Sequence, residues 1–227
     1  MFIGHYGVAF AVKAARPATP LWLLFVAVQL VDIAWAILVL LGIEKLRIVP
    51  GITASNPLDL FYMPYTHSLT AAALWAGAAT VLCKPLPGVR TWPGAAWVGL
   101  AVLSHWILDW LVHRPDLPLY GDAMKVGLGL WNHPAIALLL EAFLLFGAMF
   151  VYMQRTAAVD VIGRFGPVVL GIVMLVIQCY AFFGPPPTSP SAAALTALAA
   201  YAVFAALVIG IDRRRHSITG QTSGARE

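Results

Sequence analysis

At 227 residues, 61% of them hydrophobic and only 11% charged, with a mean hydropathy of +0.84, the chain reads as a one-domain integral membrane protein. Its net charge of +4 gives no nucleic-acid footprint, because Lys and Arg sit between and after apolar runs instead of forming a stripe. Cys83 and Cys179 lie on separate runs and supply neither a disulfide framework nor a cysteine metal motif.

Residues 1–15 predict a short apolar helix, with about 12 residues before Lys13, too few to span a bilayer unaided. No basic region precedes this stretch, so it does not read as a cleaved signal peptide. After the breaker Arg16-Pro17-Ala18-Thr19-Pro20, six spans are expected, at about Leu21–Leu41, His67–Cys83, Trp92–His113, His133–Met153, Gly166–Phe183 and Ala192–Ile211. Between them, Gly42–Thr66 reads as a long structured loop, Arg114–Asn132 as a polar loop, and Gly184–Pro190 as a stiff connector. The fold class is therefore all-α and membrane-integral: about six transmembrane helices plus a short N-terminal apolar helix. Residues 1–212 form the single membrane domain, and 213–227 form a polar basic tail expected to be disordered. With six spans, ten of the fourteen Lys and Arg residues fall on one side, which places both termini in the cytoplasm and the two long loops outside.

Ionisable residues at membrane depth are costly and mark pathways or sites. On a helix over 104–113, His105, Asp109 and His113 stand one turn apart on one face, and His-x-x-x-Asp is a workable metal-ligand spacing. The same pair could instead hydrogen-bond to itself and tie helices together, and His113 could simply sit at the interface. Helical rise brings Asp32, His105 and Glu141 to similar depths, with His67 and His133 at the outer ends of their spans. Should the N-terminal helix lean into the bundle, His5 rises towards Asp32. His5, Asp32, His67, His105, Asp109 and Glu141 then converge on one outward-facing cavity, while His133 reads as a loop or helix-start residue. Asp59, Asp116 and Asp122 read as loop-solvating, His216 as solvated, and Trp22, Trp92, Trp110 and Trp131 as an interfacial belt.

Gly4-His5, Asp32, Thr66-His67-Ser68-Leu69 and His105-x-x-x-Asp109 occur in an order that resembles the bacterial membrane-bound predicted metal-dependent hydrolases of the YdjM/YbcI type (the domain of unknown function 457 group). The likeness covers roughly the first 115 residues and rests on a handful of positions. Where that family carries a Pro-Asp-x-Asp acidic pair, this chain reads Leu30-Val31-Asp32-Ile33-Ala34, one carboxylate fewer. The resemblance implies a metal-dependent hydrolase of the bacterial inner membrane. In it His67, His105 and Asp109 are ligands, and His5 and Asp32 are further ligands or the catalytic groups that accept a proton from water. Glu141 and His113 stand behind them. The cofactor implied is a divalent metal, zinc first, with manganese or iron also compatible with a His/carboxylate set. A site in the outer half of the bilayer points to membrane lipid as partner and to a lipid-linked or periplasmic (phospho)ester as substrate. Two other classes stay open: a metal-ion transporter, and a non-catalytic membrane subunit or scaffold of a larger complex.

Overall fold

In the computed structural model, which describes residues 1–218, the first helix is the axis of the molecule. Helix α1 (Ile3–Ala15) buries ten of its thirteen residues, because it is apolar on every side and packs among α2 (Leu21–Val28), α5 (Trp92–Val112), α6 (Pro134–Gln154) and α7 (Val161–Phe183). At about 20 Å it is too short to cross a membrane, but its free backbone ends lie against protein rather than lipid. Lys13 anchors the lower end: its ammonium donates to Asp212 Oδ2 (3.0 Å) and to the Thr19 carbonyl (3.1 Å), and Leu21 N–H donates to the same Asp212 oxygen (3.0 Å). Met1 is thereby carried about 18 Å from Lys13 and is buried inside the bundle.

The expected first span is broken. Helix α2 ends at Val28 and α3 (Leu30–Leu40) resumes at an angle of 53°, with Gln29 between them at φ −109° and ψ 5°. The break leaves the last carbonyls of α2 without intrahelical partners, and puts Asp32 in the first turn of α3, where the helix dipole favours a negative charge. Helix α4 (Leu69–Cys83) is capped by Ser68, whose hydroxyl accepts from Ala71 N–H (3.1 Å). Four helices are long and apolar enough to cross a membrane: α5, α6, α7 and α8 (Pro190–Asp212); the bent α2–α3 pair makes a fifth if it counts as one span, and α4 is shorter. Helix α7 begins a full turn before the expected Gly166, because Asp160 caps it by accepting from Gly163 N–H (2.7 Å). Exposed apolar side chains such as Leu74, Leu139, Phe143, Val176 and Leu207 clothe the outward faces of these helices.

The all-α expectation needs two additions. The loop after α3 folds into a hairpin, β1 (Lys45–Ile48) against β2 (Leu58–Tyr62), and β3 (Thr156–Ala158) pairs with β4 (Arg215–Ser217). The start of the expected disordered tail is thus a strand; the rest of that tail, from 219 on, lies outside the described residues. Arg215 explains the pairing. Its buried guanidinium donates to the carbonyls of Gly163, Met153 and Thr156 and to the Thr156 hydroxyl, at 2.6–3.0 Å. Arg215→Ala leaves these acceptors unpaired, so thermal unfolding is expected to show a loss of about 3 kcal/mol.

Candidate metal centre

Asp109 is the hub. In the last turn of α5, its Oδ1 faces the Met1 amine (2.5 Å) and His5 Nε2 (3.1 Å). Its Oδ2 faces His105 Nε2 (3.2 Å), His113 Nε2 (3.5 Å) and His67 Nε2 (3.7 Å). Asp32 Oδ1 closes the ring at 3.2 Å from His67 Nε2 and 3.5 Å from His105 Nε2. The His5 and His105 rings stack with centroids 3.9 Å apart. All of the expected ligands, His5, Asp32, His67, His105 and Asp109, therefore meet. Two sets among the described residues could hold a metal ion, His5–His105–Asp109 and Asp32–His67–His105.

The backs of the imidazoles decide what their fronts can do. His105 Nδ1–H donates to the Val28 carbonyl (2.7 Å), one of the groups freed by the α2–α3 break. His113 Nδ1–H donates to Asp116 Oδ1 (2.9 Å). His67 Nδ1 lies 2.8 Å from Thr66 Oγ1, and that hydroxyl donates to Glu44 Oε2 (2.6 Å), so His67 Nδ1–H donates to Thr66. Glu44 itself accepts from the backbone N–H groups of Tyr65 (2.8 Å) and Thr66 (3.0 Å), while burial pushes its carboxyl above the usual range. In the neutral state each of these three rings then presents an Nε2 lone pair, and every one faces a carboxylate oxygen. Lone pairs converging on carboxylates repel unless a cation or protons lie among them. His105 Nε2 shows the consequence: it has two carboxylates within 3.5 Å yet hydrogen-bonds to neither. The spacings resemble the edge of about 3.4 Å between donors that each lie about 2.1 Å from a shared tetrahedral ion. The donor set fits a divalent metal.

Thr66→Val cuts the link between Glu44 and His67 without touching a ligand. Outer partners of this kind set ring orientation and basicity, so metal affinity is expected to fall by about 10–100-fold in competition titrations with a chelating dye.

Glu141 stands behind the ring, as expected, and does not face the imidazoles. Its Oε2 accepts from Phe2 N–H (2.8 Å) and Gly4 N–H (3.2 Å), and its Oε1 from Gln178 (3.4 Å), which fixes the upper end of α1. Above the ring opens a cavity of about 690 Å³. The side chains Asp32, His67, Asp109 and His113 lie at its polar end, with Trp35 and Tyr201 beside them.

Several residues read differently from expectation. Asp116 and Asp59 are buried, not loop-solvating: Asp116 orients His113, and Asp59 pairs with Arg47 (2.6 Å) and Arg114. Trp131 leaves the interfacial belt and packs on His113, ring centroids 4.2 Å apart. His113 belongs to the ring itself. Tyr201 O–H, on α8, donates to Asp32 Oδ2 (2.8 Å). For His113–Asp116 the three-residue spacing was a usable signal; for Glu44, Val28 and Tyr201 the sequence carries none. His133 precedes α6 and His216 is exposed, both as expected. No family model, no curated protein and no solved structure matches the chain.

Proposed function

We propose that the chain is a metal-dependent hydrolase of a bacterial inner membrane, acting on a lipid-linked or periplasmic (phospho)ester. One observation carries the reading: Asp32, His67, Asp109 and His113, backed by the buried His5 and His105, form the polar end of a cavity large enough for a small organic ligand. A bound zinc, manganese or iron ion would polarise a phosphoryl or acyl oxygen and make a nearby water more acidic. His67, His105 and Asp109 would hold the ion. Asp32 borders the cavity with Oδ2 fixed by Tyr201, which leaves Oδ1 to take a proton from water. Buried Tyr6, Phe10, Phe25 and Phe204 form an aromatic layer below the ring, which favours a site serving the outer half over a permeation path.

The topology proposed with it has six spans, counting α2–α3 and α4, with Lys84, Arg90, Arg155 and Arg213 on the cytoplasmic side. A cysteine at Met124 is then labelled by impermeant maleimide from the periplasm, and one at Arg90 only after the membrane is opened.

The deciding experiment is the metal content of detergent-purified protein by mass spectrometry, with His105→Ala beside wild type, followed by assays on lipid esters and phosphoesters. About one ion per chain, lost in the variant together with turnover, is the expected result. A wild type that takes up no metal after incubation with zinc and manganese overturns it.

A further inference from the structure

The cavity has a length as well as a polar end. Its wall on α8 runs from Ala192 to Tyr201, nine residues and so about 14 Å along the helix. Tyr201 bonds Asp32, so that end is the His/Asp ring; the other end is closed by Pro185–Pro187 and Thr188 of the connector. Between them the wall is mostly apolar, with Ile177 and Ala181 of α7, Ala193 and Ala197 of α8, and Leu58 and Leu60 of the hairpin, interrupted by Thr196 and Gln178 and edged by Ser55, Asn56 and Glu141. A water-soluble substrate has no use for such a wall. An apolar chain does.

Two polar atoms belonging to lining residues lack partners. The Trp35 indole N–H, on a side chain packed edge-on against His67, has no acceptor although the residue is only 6% exposed. Gln178 Oε1 has no donor at 1% exposure, its Nε2 being used on Glu141. Buried polar groups are rarely left unsatisfied, and each such case asks for an explanation. One ligand explains both.

We infer that the cavity takes a single-chain hydroxylated amphiphile, end-on. The chain lies along the α7–α8 wall. An ester or phosphoryl oxygen accepts from Trp35 beside the His/Asp ring, and a hydroxyl of the head group donates to Gln178. This names a substrate class for the site proposed above and rests on that reading.

Native mass spectrometry of the full-length protein in non-ionic detergent tests it, with palmitoyl-lysophosphatidate and monopalmitoylglycerol as the two probes and glycerol 3-phosphate as the chainless control. At least one amphiphile is expected to bind at least tenfold more tightly than glycerol 3-phosphate, and which of the two wins tells a phosphoryl from an acyl ester acceptor. Trp35→Phe keeps the ring and removes the donor, so binding weakens about fivefold, within the range of one hydrogen bond. Ala197→Trp fills the wall and abolishes chain binding while the metal count stays at the wild-type value. Equal binding of glycerol 3-phosphate, or both variants binding amphiphile as wild type does, overturns the inference even if the metal remains. A wild type without metal that still holds the amphiphile in a Trp35-dependent way overturns the hydrolase reading and leaves this one standing.

Discussion

Asp109→Asn is expected to lower metal affinity by more than about 100-fold, beyond the loss that follows from disturbing an outer partner. No other side chain in the ring touches as many donors. The two oxygens of Asp109 face His5, His67, His105 and His113, and no second carboxylate can replace them, because Asp32 reaches only His67 and His105. The asparagine keeps the shape, its amide N–H can donate to an Nε2 lone pair and its carbonyl can still accept from the Met1 amine, so the bundle loses less than when the side chain is removed. Asp109→Ala has a different outcome. It leaves the Met1 amine and His5 without their carboxylate, with Asp32 and Asp116 still facing the other imidazoles, and stability falls by about 3–5 kcal/mol in addition to the loss of metal. Metal per chain after dialysis, measured beside thermal unfolding by circular dichroism, separates the two variants. Full metal occupancy in Asp109→Asn would show that Asp109 is not a ligand, whereas a wild type without metal would show that the ring is a packing network with protons among its lone pairs.

The parts of this site that were legible in the sequence share one property: they are costly unless used. A carboxylate at Asp32 and a His-x-x-x-Asp stripe at 105–109 stand out against apolar surroundings, and helical rise places them at one depth without any knowledge of packing. The unreadable parts are cheap residues made important by position. Gln29 breaks a helix that hydropathy draws as continuous, and the Val28 carbonyl released there fixes the tautomer of His105. Glu44 sits in a loop where acidic residues are ordinary, yet three donors from Tyr65 and Thr66 converge on it. Asp59 and Asp116 look equally ordinary and are buried. Hydrophobic length correctly marked the long helices. It could not tell α1, which is apolar because protein surrounds it, from a helix that lipid surrounds.

Gly7→Val should cost more than any other single change on α1, and through a residue that touches no ligand. Helix α1 packs closely on α6 at this point: a Cβ on Gly7 would fall on the Leu144 carbonyl, 2.7 Å from its carbon. The obstacle is backbone, which no rotamer change can move aside, so α1 has to shift outward by about 1 Å to restore contact distance. That shift costs roughly 3 kcal/mol of stability, the upper end of overpacking penalties. It also moves His5, one turn below Met1, away from Asp109, and strains the bonds that Phe2 and Gly4 give to Glu141. Since a site loosened by 1 Å commonly loses about two orders of magnitude in performance, metal affinity should drop by at least about tenfold alongside the melting temperature. Gly77→Val is the matched control. A Cβ there meets nothing within 4 Å on the outward face of α4, so both readouts should stay at their wild-type values. If Gly7→Val unfolded at the wild-type temperature with its metal in place, α1 would not be the element that seats the ring, and the His5–Asp109 contact would have no bearing on the metal.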